Sequence, residues 1–294
     1  MSVDTIASGA GQTGVEQVLS RPKERVNWVT TAILAVGALF ILVPLYFVFV
    51  MALKSQAETG SSAVLAPPMA PNWQNLADAW KLVNAPQALS MSVFITAFTI
   101  AGELLLSSTA AWAIVRNWNV AIFRYAFIYL LAAMFIPFTV VALPQIKLMA
   151  MLGLDNPIGV IILNCMFSLS FNTLMFAAYI RSLPADLEES AVLDGCSTLE
   201  VFVKVVWPLL QPMAATVGIF AFLFSWNDFF MPSLIISAVS QQTLPVVQHT
   251  FQVSLQLNYN VAFASYAIAM IPSIIGYIIG QRWIIAGVMR GAIK

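Results

Sequence analysis

Two carboxylates interrupt apolar runs that are long enough to cross a membrane, and they are the first candidates for chemistry. Glu103 lies near the middle of one run, and Asp228 follows Asn227 inside another. A charged group is costly within a bilayer, so its presence there marks a functional site by default. These three residues are candidates for lining a solute pathway, and the two carboxylates are also candidates for binding a proton or a cation.

A polar stripe accompanies the carboxylates. Asn164, Ser168 and Asn172 are spaced four residues apart, which places them on one face of a helix. Such a stripe lines a pathway, or it forms hydrogen bonds across a helix interface. The spacing does not distinguish these two interpretations.

Metal, redox and nucleotide chemistry have little support in this sequence. The single histidine, His249, has no ligand partner at metal spacing, and the two cysteines, Cys165 and Cys196, form no disulfide framework. Glycines 9, 11 and 14 have the spacing G-x-G-x-x-G, but no strand precedes them and no βαβ unit surrounds them. No G-x-x-x-x-G-K-[ST] loop is present either. We therefore expect no metal, no cofactor and no enzymatic activity on this chain.

The composition places the chain in a membrane. Of 294 residues, 60% are hydrophobic and 9% are charged, and the mean hydropathy is +0.87. The formal net charge of zero gives no electrostatic reason to expect nucleic acid binding. Apolar runs of spanning length predict an all-α, polytopic fold with six transmembrane helices at 28–53, 89–115, 123–143, 158–180, 209–237 and 261–286. Prolines at 137 and 144 are expected to break or bend the third span.

The basic residues predict the orientation. Six spans place both termini on one side, and that side, with the short loop after the second span and the segment between the fourth and fifth spans, carries ten of the thirteen Lys and Arg residues. The opposite side carries Lys54, Lys81 and Lys147. By the positive-inside rule, both termini are cytoplasmic. The predicted organisation is a tail at 1–27, a first helix with an external loop at 28–88, a transmembrane core at 89–286 and a tail at 287–294.

The segment 184–207, called the knob below, is the most charged long stretch of the apolar core. Pro184 suits a first helical position, acidic residues follow it, and Gly195 suits the left-handed position after a helix. Ser197 and Glu200 have the spacing of a capping box that starts a second helix, and Pro208 and Pro212 are expected to mark its far end. The pattern predicts two short helices joined by a glycine turn, with a face that can contact a soluble partner.

The knob resembles the EAA signature of ABC importer permeases, with Glu189, Ser190 and Ala191 followed by Asp194, Gly195 and Cys196 and then by Pro208. Further segments, AWAIVRNW, MFIPFTVVALPQIKLMAMLGLDN, FSWNDFFMP, TLPVVQHTF and QRWIIAGVMRGAIK, are similar to MalG-type carbohydrate permease subunits. The likeness covers 89–294. It implies the type I ABC importer permease fold, with a cytoplasmic coupling helix between helices 4 and 5.

The resemblance also implies partners. A second, MalF-like permease subunit completes the pathway, two cytoplasmic ATPase subunits bind ATP and Mg, and an extracytoplasmic binding protein delivers a carbohydrate across the cell (inner) membrane. The implied ATPase-coupling residues are Glu188, Glu189, Ser190, Ala191, Asp194, Gly195, Cys196, Lys204 and Pro208. Arg290, Gly291 and Lys294 resemble a C-terminal contact with the ATPase dimer.

An uncharged stretch, 238–260, is predicted to face the outside. Its Gln241, Gln242, Gln248 and His249 suit contact with a binding protein or with a polyhydroxylated solute, although an ordinary uncharged surface loop has the same composition. The main alternative function is an ion-coupled secondary transporter that uses Glu103 and Asp228. Inverted repeats would favour that alternative, and none is visible in the sequence. A membrane scaffold without transport would have no use for polar residues within its spans.

Overall fold

The computed structural model describes residues 27–254 and 258–292, and describes side chains for 27–249 and 258–281. The described residues form helices and no strand. The glycine motif at 9–14 and Lys294 lie outside the described residues. The chain divides into two compact units, Met1–Phe47 and Val48–Lys294.

Within the described residues, five helices are long and apolar enough to cross a membrane. They are α1 (Trp28–Leu53), α4 (Ala85–Arg116), α7 (Pro157–Ile180), the helical stretch Thr198–Asn227 that ends in α10 (Trp207–Asn227), and α13 (Tyr259–Ala292). Between α1 and α4 lie the short helices α2 (Gln56–Ser61) and α3 (Gln74–Leu82). These spans match five of the six predicted from sequence. The inside and outside faces inferred from the basic residues stay a prediction.

The predicted third span, 123–143, is broken at Pro137, as the sequence led us to expect. Two helices replace it, α5 (Ala121–Ala133) and α6 (Phe138–Met151), with axes bent by 103° at the break. Pro137 explains the break, because its extended backbone (ψ 133°) precedes α6 and its nitrogen has no hydrogen to donate. Pro144, in contrast, lies inside α6 without breaking it.

The predicted fifth span, 209–237, is also interrupted. Helix α10 ends at Asn227, Asp228 has extended backbone (ψ 118°), and the short helix α11 (Phe230–Ile235) follows. The Asp228 carboxylate accepts a hydrogen bond from the Met231 amide at 3.2 Å, and so caps the start of α11. An apolar run therefore becomes two helices with an acidic residue at their junction.

The knob comprises α8 (Asp186–Leu193), α9 (Thr198–Val201) and a π-helical turn, Phe202–Val206, which leads directly into α10. The expectation that Pro208 and Pro212 end the second knob helix is wrong, since the helix continues through both. In the widened turn the Trp207 amide bonds to the Phe202 carbonyl, and Pro208 lies in the first turn of α10, where a missing N–H is tolerated.

The core of the second unit is built on the packing of α4 along α7, the most extensive helix contact in the described structure. At one end of this pair, Phe176 and Ile180 of α7 form a buried cluster with Phe202, Val206 and Leu210. Towards the other end, α3, α12 (Leu244–Ser254) and α13 contribute a second apolar cluster. The knob is thus anchored in the same core as the spans.

Glycines allow close approach of α10 and α13. A Cβ atom at Gly276 would lie 2.2 Å from the Phe222 ring, whereas one at Gly218 would meet nothing closer than 3.8 Å. We expect Gly276→Ala to destabilise the protein by about 1–3 kcal/mol, because the ring has to move out of a packed position. Thermal unfolding of the detergent-solubilised protein measures this effect. The control Gly218→Ala is expected to leave the unfolding temperature unchanged or slightly raised, and an equal drop for both variants would contradict the packing argument.

Candidate functional site

The first part of the candidate site is the turn between the knob helices. Gly195 has φ +88°, a left-handed conformation that disfavours side chains. The Cys196 amide bonds to the Ala191 carbonyl and the Gly195 amide to the Val192 carbonyl, each at 3.0 Å, which is the pattern of a Schellman motif. The predicted capping box follows, with reciprocal bonds between Ser197 and Glu200. The sequence prediction of a helix, a glycine turn and a helix is confirmed.

A cluster of three hydrogen bonds fixes the knob to the second span. The Glu188 carboxylate accepts bonds from Trp112 Nε1 at 2.8 Å and from Arg116 Nε and Nη2 at 2.9 and 2.6 Å. Both side chains of the ion pair are largely buried. The Trp112 ring packs on Phe202 with centroids 5.3 Å apart. Glu188 therefore faces inward, in contact with its own chain.

Glu189 faces the opposite way. It is exposed, and in the described part of the chain its carboxylate has no hydrogen-bond or ion-pair partner. Beside it the knob exposes apolar side chains that a lone surface would normally cover, including Leu193 at 87% and Leu199 at 71% exposure. An unpaired acid surrounded by exposed leucines is typical of a surface that binds another protein.

The remaining predicted coupling residues lie around this surface. Ser190, Asp194 and Pro208 are exposed, and Ala191 and Cys196 are half-buried against the core cluster. Lys204 is exposed and pairs with Glu200 at 2.7 Å. Arg290 and Gly291 lie in the last turns of α13, and their side chains are outside the described set.

The second part of the candidate site is an open cleft of about 760 Å³ between helices. Residues from α4, α6, α7, α10 and α11 line it. Glu103 and Asn172 are nearly fully buried at its edge, and Ser168, Thr139 and Asp228 add further polar groups. Six of the thirteen lining residues are aromatic: Phe138, Phe167, Phe171, Phe220, Phe224 and Phe230.

The carboxylates in the cleft are only partly satisfied. Asn172 Nδ2 donates to Glu103 Oε2 at 2.8 Å, whereas Glu103 Oε1 has no hydrogen-bond partner. Asp228 uses Oδ1 to cap α11, and its Oδ2 has no partner. Both carboxylates line the same cleft and each keeps one acceptor oxygen that this chain does not satisfy, so the cleft can accept hydrogen bonds from a ligand.

Two of the predicted pathway residues lie elsewhere. Asn164 is fully buried, does not line the cleft, and neither of its side-chain polar atoms has a hydrogen-bond partner. Asn227 lies on another side of α10, where it donates to the Leu223 carbonyl and lines a separate cavity with Ser273. The structure thus joins Glu103, Ser168, Asn172 and Asp228 in one cleft and excludes Asn164 and Asn227 from it. The cleft phenylalanines were missed, since apolar residues in a span carry no sequence signal for a site.

The predicted outer loop, 238–260, contains helix α12. Gln241 and Gln242 are half-buried, and His249 is exposed and packs on the Phe229 ring. Gln248 is buried and donates to the Ser265 carbonyl at 2.6 Å, so it is not exposed for contact with a binding protein in this conformation.

A family model decides between the possible classes of membrane protein. Residues 103–290 match the family described as binding-protein-dependent transport system inner membrane component. The chain belongs to this family. The resemblance drawn from the knob and from the segments at 89–294 is therefore confirmed, and family membership favours an importer subunit over an ion-coupled secondary transporter.

Individual relatives agree with the family. The chain is 35% identical over 206 residues to the multiple sugar-binding transport system permease protein MsmG of Streptococcus mutans, covering 69% of this chain and 74% of the relative. It is 28% identical over 253 residues to the probable starch degradation products transport system permease protein AmyC of Thermoanaerobacterium thermosulfurigenes, covering 85% and 91%.

A solved structure supports the fold. A chain of a bacterial ABC transporter that imports the acidic polysaccharide alginate matches with a TM-score of 0.75 and 24% identity, over 86% of this chain and 94% of that one. The predicted ABC importer permease fold is confirmed.

The ion pairs Arg116–Glu188 and Lys204–Glu200 allow a largely buried pair of the knob region to be compared with an exposed one. We expect Arg116→Met to increase amide hydrogen exchange over 186–193, because it removes two of the three bonds that hold Glu188. Lys204→Met breaks an exposed pair, which contributes only about 0–1 kcal/mol, and is expected to leave exchange in this helix unchanged. Hydrogen exchange with mass spectrometry measures both variants. If the amides of 186–193 exchange at the same rate in Arg116→Met and in the native protein, the bonds to Glu188 do not stabilise the position of the knob.

Proposed function

We propose that this chain is one permease subunit of an ATP-driven, binding-protein-dependent carbohydrate importer in the cell inner membrane. It forms half of a translocation pathway with a second, MalF-like permease. ATP is hydrolysed, with Mg, by two partner ATPase subunits. An extracytoplasmic binding protein delivers the sugar. The observation that carries the proposal is the surface of the knob, where an exposed acid and exposed leucines project from a helix that is fixed firmly to the spans.

The knob has the properties that mechanical coupling requires. Its buried side joins the core through Phe202 and Val206, and Glu188 is bonded to the end of α4. A partner that binds the exposed side can therefore tilt α4 and α10 when it closes, as in rigid-body switching. We assign different roles to Glu189, the glutamate of the EAA signature, and to Glu188, which precedes it. Glu188 holds the knob in position, and Glu189 contacts a basic residue of the ATPase.

The carbohydrate assignment draws on the relatives. The names of the two similar proteins include multiple sugars and starch degradation products, respectively. The cleft suits such a solute, because phenyl rings can pack on sugar faces while acceptor oxygens bind hydroxyl groups. Of the predicted binding-protein contacts, Gln241, Gln242 and His249 keep that role in the proposal. Arg290, Gly291 and Lys294 keep their proposed contact with the ATPase dimer.

A charge reversal at the knob tests the proposal. We expect Glu189→Arg to abolish co-purification of the ATPase subunits with the detergent-solubilised permease pair, because it replaces an acid with a like charge opposite the partner's basic residue. Asp78→Arg, on the half-buried surface of α3 at the opposite predicted face, is the control and should retain the ATPase. If the native complex contains no ATPase, the importer assignment fails.

Coupling itself needs a second readout. In the reconstituted importer, Arg116→Met is expected to retain the bound ATPase while it lowers transport per ATP hydrolysed, by about threefold or more, because a loosened knob transmits less of the ATPase movement. Sugar uptake and phosphate release are measured in the same vesicles. If the ratio of sugar uptake to phosphate release is unchanged in this variant, the bonds to Glu188 stabilise the fold but do not contribute to coupling.

A further inference from the structure

The residues that line the cleft indicate which charge a bound solute can carry. Two acidic residues from different elements line it, Glu103 from α4 and Asp228 from the break between α10 and α11. Among the lining residues that the structure describes there is no lysine, arginine or histidine. Each of the two carboxylates has one buried oxygen without a partner. The site therefore offers hydrogen-bond acceptors and no positive charge.

We infer that this cleft is a solute subsite that binds a neutral, polyhydroxylated sugar and excludes sugars that carry a carboxylate or sulfonate. The inference rests on the proposed function and adds a solute class to it. A hydroxyl donor satisfies the free oxygens of Glu103 and Asp228. A uronate brings an anion into an apolar, aromatic cavity without any cation to compensate it, and burying an unpaired charge is strongly unfavourable.

The polar groups are arranged to fix one face of a sugar ring. Asn172 is held by Glu103 Oε2, so its amide is oriented and its own oxygen remains available as an acceptor. Ser168 lies one helical turn before Asn172 and lines the same cleft. The phenylalanines provide the apolar surfaces that pack on the C–H faces of the ring. An apolar lining with a few oriented polar groups is typical of small-molecule sites.

Glu103 indicates a ligand site more specifically than the polar stripe of Asn164, Ser168 and Asn172 does. Its side chain is 1% exposed, on a helix that packs closely along α7. A carboxylate that served only to bridge the two helices would use both oxygens within the interface. Here one oxygen bonds Asn172, the other has no partner at normal hydrogen-bond distance, and the Ser168 hydroxyl is the other polar group that interacts with the carboxylate. A sugar hydroxyl can therefore complete the set that Asn172 and Ser168 begin.

Equilibrium binding to the complete importer in nanodiscs, without ATP or binding protein, tests the inference. The probes are tritiated maltotriose, raffinose and lactose, with a trisaccharide of galacturonic acid as the anionic counterpart, detected by scintillation proximity. We expect at least one neutral sugar to bind, and the uronate to bind about tenfold more weakly or worse. Equal affinities for the two classes, or no binding of any neutral sugar, would overturn the inference.

Variants of Glu103 test whether the cleft is responsible for sugar binding and for the preference for neutral sugars. Glu103→Ala is expected to weaken neutral sugar binding about tenfold or more, as loss of a hydrogen bond to a charged group does. Glu103→Gln keeps an acceptor and the shape but removes the charge, so the preference for neutral sugar over uronate should narrow. Ser107→Ala is the matched control, because Ser107 is equally buried on α4 and does not line the cleft.

The outcomes separate this inference from the proposed function. If Glu103→Ala folds, as judged by gel filtration, and binds sugar like the native importer, the cleft is not the subsite, while ATPase association and sugar uptake can still hold. If ²²Na⁺ binds and Glu103→Gln abolishes that binding without affecting sugar, the cleft is an ion site and the inference is wrong. If no ATPase accompanies the native chain, the proposed function itself fails.

Discussion

The hydrogen bonds to Glu188 are the interaction on which the rest of the structure depends. They join α8 to the last turn of α4, and α4 in turn packs along α7, whose end leads into the same knob. The knob, α4 and α7 therefore form a closed triangle of elements. Because two sides of this triangle also carry Glu103 and Asn172, a displacement applied at the knob reaches the cleft through rigid helices, without any flexible loop in between.

The cleft exists because two apolar runs are broken. Pro137 turns α6 away from α5 by 103°, and Asp228 ends α10 early by capping α11. Residues on the far side of each break, Phe138 and Thr139 of α6 and Phe230 and Met231 of α11, line the cleft. Breaks at membrane depth are tolerated where the freed backbone groups are satisfied or face a cavity. The same polar side chain that stabilises one of the breaks also supplies an acceptor to the cavity.

Sequence patterns predicted what depends on local spacing. Helical periodicity and caps located five of the spans, the glycine turn and the capping box, because those signals lie within a few residues of each other. The distinction between Glu188 and Glu189 could not be predicted, since it depends on Arg116, more than seventy positions away. Likewise Asn164 and Ser168 have the same helical spacing, and only the packing of neighbouring helices puts one in the interior and the other in the cleft.

The π turn at 202–206 makes the orientation of α10 depend on the exact length of this segment. A π turn adds one residue to a regular helix, which rotates everything beyond it by about 100°. The face that α10 presents to the cleft is therefore set independently of the face that α9 presents to the core. A single-residue deletion here would leave every residue that lines the cleft in place in the sequence and restore an ordinary helix, yet it would rotate Phe224 and Phe220 relative to the knob. The length of this short segment is thus as much a determinant of the site as the residues that line it.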